Sequence, residues 1–240
     1  MTQTKFLERP QSAKEFQEMF RHIYHDLNTQ QYKKDKDLIA RLIEEITKLM
    51  EHARKDRRML FRAQLTNIFS WSMAVTNRLE INIQEALWYK YPGVCPYCLK
   101  EKDCICGTEH PIIKNKEIVL RRLRRERAGR EPQTLTEYQT LHGRLYSWQH
   151  DRELPIVIAA HLVEEAGEVS YAHRHLEIAK KSKTRDYWLN SVREEMSDVI
   201  SWMFALANRL EFNLADVIWE YYPYECVKCH KGPCICEEIL

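Results

Sequence analysis

His161-Leu162-Val163-Glu164-Glu165-Ala166-Gly167-Glu168-Val169 is followed, after an interval rich in His, Lys and Arg, by Arg193-Glu194-Glu195-Met196-Ser197-Asp198-Val199-Ile200-Ser201-Trp202. Each residue of an α-helix advances about 100°, so Glu164, Glu165 and Glu168 fall within roughly one third of the circumference, and Glu195 and Asp198 share a face. Two helices can therefore point five carboxylates at one spot. Gathered acids repel one another and take up protons unless a cation sits between them. Hard oxygen donors suit Mg²⁺ or Mn²⁺, ions that bring phosphates with them. A solvated pair of Glu-rich faces is the plain alternative, and the apolar runs Ile156 to Val163 and Val199 to Leu206 beside the acids count against it.

The pattern Glu-Glu-x-x-Glu, then Glu-x-x-Asp further along, resembles the MazG-like all-α nucleoside triphosphate pyrophosphatases over about residues 133–223. Leu206-Ala207-Asn208-Arg209-Leu210-Glu211-Phe212-Asn213-Leu214 is similar to that family's turn into its last helix. The resemblance implies that Glu164, Glu165, Glu168, Glu195 and Asp198 hold Mg²⁺ (or Mn²⁺). It also implies that the ions bind the triphosphate of a nucleotide and prepare a water that attacks the α-phosphorus, releasing a monophosphate and pyrophosphate. Glu165, with Glu164 beside it, is the candidate for orienting or deprotonating that water. The family's dimeric bundle is expected to form here within one chain, and two such chains could pair further. A nucleotide-sensing or partner-binding protein with vestigial hydrolysis is the rival expectation.

The chain of 240 residues repeats itself. Pro10-Gln11-Ser12-Ala13-Lys14-Glu15-Phe16-Gln17 matches Pro132-Gln133-Thr134-Leu135-Thr136-Glu137-Tyr138-Gln139, and 11 of the 27 positions from Thr66 to Pro92 are identical 131 residues later. Internal repetition of this kind marks a duplication. Six glycines, eight prolines and long Leu/Ile/Glu/Lys/Arg segments at helical period point to an all-α protein of two four-helix units. Each unit is expected to begin with a capped helix at Ser12 or Thr134. A second helix is expected over about Asp37 to Arg54 and Leu154 to Lys181, and a third over about Met59 to Leu79 and Tyr187 to Leu210. A short fourth follows Asn82 and Asn213 and ends at Tyr91 and Tyr222, before Pro92 and Pro223.

The first copy lacks the acids. Glu44 and Glu45 match Glu164 and Glu165, but Lys48, Gln64 and Asn67 stand where Glu168, Glu195 and Asp198 stand. Residues 1–106 thus read as a degenerate repeat, 107–131 as a linker and 132–240 as the active repeat. Trp148-Gln149, unique to the second copy, is the candidate for stacking on and reading a nucleobase. Lys90, Arg193 or Arg209 is the expected phosphate contact, and Asn208 completes the candidate substrate residues.

Eight cysteines fall in two sets, Cys95, Cys98, Cys104, Cys106 and Cys226, Cys229, Cys234, Cys236. Four thiolates on tight turns suit a structural zinc ion in each unit, with iron–sulfur or redox disulfides as alternatives. The linker carries Lys114, Lys116, Arg121, Arg122, Arg124, Arg125, Arg127 and Arg130 and reads as a solvated helix. With 37 basic against 35 acidic residues, the balance gives no global reason to expect nucleic-acid or membrane binding, and attraction of phosphorylated ligands or nucleic acid is the alternative reading of the basic segment alone. No apolar run long enough to span a membrane and no apolar leader is evident, so a cytoplasmic protein is expected.

Overall fold

The computed structural model describes residues 8–106, 112–179 and 183–237, without the side chains of residues 149 and 150. Ten α-helices and no strand are formed among them. In order these are α1 (Ala13–Gln31), α2 (Asp35–Arg54), α3 (Phe61–Arg78), α4 (Ile83–Lys90), α5 (Lys116–Glu126), α6 (Leu135–Leu145), α7 (Ser147–Arg152), α8 (Pro155–Ala179), α9 (Arg185–Arg209) and α10 (Leu214–Tyr221). The expected all-α composition is what the chain adopts, and the expected end of α8 at Lys181 lies outside the described residues. Among those residues, no helix is long and apolar enough to cross a membrane.

Local chemistry explains where the helices begin and stop. Ser12 accepts from Glu15 N while the Glu15 carboxylate accepts from the Ser12 amide, closing a capping box at α1. Thr134 accepts from Glu137 N in the same way, but the Glu137 carboxylate reaches the Gln133 amide, at 2.6 Å. Asn82 caps α4 by accepting from Gln84 N and Glu85 N, and Asn213 caps α10 by accepting from Asp216 N. Both α3 and α9 end on a glutamate at positive φ, Glu80 at 55° and Glu211 at 58°. The amide three residues beyond the last helical one then turns back to the helix, from Ile81 to the Thr76 carbonyl and from Phe212 to the Ala207 carbonyl.

Helix contacts come in matched pairs across the two halves. Helix α1 packs on α3 and α4 as α6 packs on α9 and α10, and α2 lies along α3 as α8 lies along α9. The fourth helices cross over: α4 packs on α9 and α10 on α3. Helices α2 and α8 meet face to face, and α3 touches α9. One hydrophobic cluster therefore includes Phe16, Phe69, Leu42 and Ile46 of one half with Leu162, Val169, Met203 and Phe204 of the other. Each such side chain contributes about 1.5–3 kcal/mol when fully buried.

Polar side chains inside this core fix the geometry of the fourth helices. Gln17 donates to the Ile81 carbonyl at 2.7 Å and accepts from Ile83 N at 3.1 Å. Gln139 repeats both bonds, to the Phe212 carbonyl and from Leu214 N, each at 2.8 Å. Tyr91 and Tyr222, the capping residues that follow α4 and α10, are driven into the opposite half, where Tyr91 meets His142 edge-on at 4.7 Å and Tyr222 meets Phe20 at 5.0 Å. The Gln139→Leu substitution would leave two backbone groups unpaired, and it is expected to destabilise the protein by about 2–4 kcal/mol. Chemical denaturation of the parent and the variant measures this directly.

Candidate metal and phosphate site

Helices α8 and α9 run side by side over most of their length, and this brings the acids together. Glu165, Glu195 and Asp198 each offer an oxygen lying within 4.8 Å of the others. A cavity of about 480 Å³ opens over them, lined also by Glu164, Glu168, Glu194, Tyr97 and Lys90. Glu164 and Glu168 are exposed at its rim, and Glu164 lies 3.1 Å from His161 Nδ1. The predicted five acids thus share one cavity, with three at its floor.

The floor is completed from the other half of the chain. Lys90, the last residue of the cross-over helix α4, pairs with Asp198 Oδ2 and donates to the Glu194 carbonyl at 3.4 Å. The Tyr91 hydroxyl donates to Asp198 Oδ1, so both oxygens of Asp198 are held. From α9 itself, Trp202 Nε1 donates to Glu165 Oε1 at 3.0 Å, and the Trp202 ring stacks on His161 at 4.2 Å.

Burial of like charges dominates the electrostatics. Glu165 is pushed up to about 7, first by desolvation and next by the Asp198 charge. Glu195 is pushed up to about 8 by desolvation, with Lys90 opposing and Asp198 and Glu168 adding to the rise. Asp198 is also raised: its burial and the nearby Glu168 outweigh Lys90. Burial acts against the charge on Lys90, yet the Asp198 and Glu195 carboxylates hold it above the ordinary lysine value. One lysine does not neutralise this cluster. A divalent ion would, and the set of hard carboxylate oxygens fits Mg²⁺ or Mn²⁺.

The other candidate substrate residues are dispersed. Arg209 donates through Nε to the Glu153 carbonyl at 2.9 Å and borders a different cavity, near Leu154 and Phe212. Asn208 is tied to Gln139, accepting at 2.9 Å and donating at 3.2 Å, a structural pairing at the turn before α10. Arg193 is half-buried on α9, and Trp148 is half-buried on α7; neither is among the residues lining the acidic cavity. The side chain of Gln149 lies outside the described residues.

Tyr91, Tyr97 and Trp202 are participants that the motif alone does not reveal, and neither does it reveal the basic segment. Helix α5 buries Leu123, and Leu120, Leu123 and Arg127 line the acidic cavity. Arg127 stacks on the Tyr89 ring at 3.5 Å and donates to the Tyr89 carbonyl at 2.7 Å. The segment read as a solvated linker is in part a wall of the site. Its apolar positions Leu120 and Leu123, three apart, were the available signal.

Each cysteine set gathers within 4.8 Å, and all eight residues are free thiols. A zinc–sulfur bond of about 2.3 Å places the corners of a tetrahedron about 3.8 Å apart. Sulfur separations are 3.9 and 3.7 Å for Cys226–Cys236 and Cys229–Cys234, and 3.5 and 3.3 Å for Cys95–Cys106 and Cys98–Cys104. Both sets are compatible with zinc. Hydrogen bonding to Cys104 pulls the Cys95 thiol down to about 5, favouring the thiolate that a metal needs. The turns dock across the halves: the Cys104 amide donates to the Leu145 carbonyl and the Cys234 amide to the Ile23 carbonyl, both at 2.7 Å.

A carboxyl group raised from 4.5 to about 8 favours the fold below pH 4.5 and loses that contribution as pH rises through 8. In metal-free protein, Glu195→Gln should therefore raise Tm by roughly 2–4 °C at pH 9 and change it little at pH 5, read by calorimetry at both pH values. Elemental analysis should find two zinc ions per chain, and a strong chelator should lower Tm. No protein-family model, no curated protein and no solved structure matches this chain.

Proposed function

We propose that the protein is a MazG-like, divalent-cation-dependent nucleoside triphosphate pyrophosphohydrolase that releases a nucleoside monophosphate and pyrophosphate. The observation that carries this reading is the convergence of Glu165, Glu195 and Asp198 on the floor of an open cavity into which Lys90 also reaches. A solvated acidic face would not raise three carboxylates by burial or place a buried lysine among them. The matched contacts between the halves support the companion reading, in which the two repeats form within one chain the bundle that two MazG-like subunits form together.

Glu165, Glu195 and Asp198 would hold the cation, with Glu164 and Glu168 at the rim. A bound Mg²⁺ or Mn²⁺ would polarise the phosphoryl oxygens and offset charge on the leaving pyrophosphate. Glu165, raised to about 7, suits the uptake of a proton from water near neutral pH. Trp202 holds one of its oxygens and leaves the other for that role. Lys90 supplies the positive charge from the first half, and Arg127 and Leu123 of the segment between the repeats border the space that a phosphate chain would occupy.

A panel of canonical, deoxy and modified triphosphates, assayed with Mg²⁺ and Mn²⁺ for monophosphate and pyrophosphate, tests the reading. Turnover should fall at least about 10³-fold in Glu195→Gln and about 10²-fold in Lys90→Ala, losses of the size expected when charge stabilisation of the transition state is removed. Equal rates in parent and Glu195→Gln would place the chemistry elsewhere.

A further inference from the structure

The segment between the repeats delivers a second cation to the acidic cavity. Lys90 and Arg127 are the two basic residues among those lining it, and Lys90 is committed to Asp198 and to the Glu194 carbonyl. Arg127 directly follows α5 and is held from behind by the end of α4. Its Nε donates to the Tyr89 carbonyl at 2.7 Å, its guanidinium carbon lies 3.5 Å from the centre of the Tyr89 ring, and its own carbonyl accepts from Trp88 Nε1 at 3.1 Å. Its two Nη nitrogens make no hydrogen bond or ion pair among the described residues. Six carboxylates border the same cavity, so an arginine that pairs with none of them is restrained by Tyr89 rather than short of partners.

A half-buried arginine gives up hydration and side-chain freedom, and an anion that takes its open N–H groups offsets both. The guanidinium presents those groups as a flat fork that matches two oxygens of a phosphate. The acids that would hold the cations lie at the floor, with Lys90 among them, so the phosphate under attack lies there too. The phosphates beyond it run out along the wall that α5 supplies. Leu120 and Leu123 of that wall are apolar, which leaves Arg127 as the group on this side able to grip an anion.

We propose that Arg127 binds the terminal phosphate of the substrate and makes a chain of three phosphates, rather than two, the preferred ligand of the acidic site. The inference rests on the hydrolase reading and adds to it a specificity residue from the segment between the repeats. In the cleavage a water oxygen bonds to the α-phosphorus, the bond from that phosphorus to the bridging oxygen breaks, and the electron pair leaves with the pyrophosphate. Arg127 holds that leaving group from its far end, and Tyr89 keeps the guanidinium in place to do so.

The test is calorimetric titration of the full chain with inorganic tripolyphosphate and with pyrophosphate in the presence of Mg²⁺, probes that carry no base. Tripolyphosphate should bind the parent at least about tenfold more tightly than pyrophosphate, the margin expected for one charge-assisted contact. Arg127→Met should weaken tripolyphosphate about 10- to 100-fold and bring the two ligands to within about threefold of each other, and Arg127→Lys should restore part of the loss. Arg124→Met removes an exposed cation of α5 that does not line the cavity, and it should leave both affinities unchanged. Helical content should be parental in all three variants. On the best nucleoside triphosphate, Arg127→Met should raise KM by a similar factor and leave KM for the matching diphosphate at its parental value. The proposal is overturned if the parent binds both inorganic ligands equally, if Arg127→Met keeps parental affinity for tripolyphosphate, or if Arg124→Met loses as much. A parent that cleaves no nucleotide but binds tripolyphosphate through Arg127 would end the hydrolase reading and leave this binding role standing.

Discussion

Asp198 cannot be buried as a charge unless something answers it, and the rest of the arrangement follows from that constraint. A carboxylate withdrawn from water costs several kcal/mol unless it is paired and hydrogen-bonded. Lys90 and Tyr91 provide both, and they belong to the other half of the chain. The pair is positioned because α4 crosses onto α9, and α4 crosses because Gln17 and Asn82 fix the turn that launches it. A hydrogen bond between α1 and a loop therefore has a bearing on the charge state of an acid more than a hundred residues away. Glu165 and Glu195 remain under-compensated even so, and burial pushes them up to about 7 and about 8.

The two halves show what one scaffold does with and without that charge. Gln64 and Asn67 occupy the positions of Glu195 and Asp198 and make neutral hydrogen bonds there, to Glu45 and from Tyr222. No cation is then required. Tyr222 still inserts into the opposite half as Tyr91 does, so the cross-over survives the loss of the acids. Apolar packing and the turn glutamines hold the shape, whereas the carboxylates determine only what the shape can bind.

Much of the architecture was legible in the sequence because it rests on local signals. Helical periodicity, the caps at Ser12, Thr134, Asn82 and Asn213, and the stops at Pro92 and Pro223 place the elements to within a few residues. The pairing of Glu165 with Glu195 and Asp198 could be read from spacing, since acids three or four apart on a helix share a face. What could not be read was which contacts are made across the halves. Nothing local in Lys90 or Tyr91 says that α4 lies on α9 rather than on α3. The basic segment forms the expected, mostly exposed helix, but its eight cations draw attention away from Leu120 and Leu123, which line the cavity. Arg209 follows Asp198 by about three turns on nearly the same face of α9, and that rise along the axis puts it at a different cavity from the acids.

The exchanged docking of the cysteine turns carries a last consequence. The Cys104 amide is anchored on the Leu145 carbonyl and the Cys234 amide on the Ile23 carbonyl, so each thiol set is a clasp fastened to its sibling's leading helix. Loosening one clasp frees an edge of the opposite repeat, and the intact clasp still binds the pair. Tyr97 sits between two thiols of the first clasp and also borders the acidic cavity. A displacement of that clasp is therefore passed through Tyr97 to the wall of the acidic cavity.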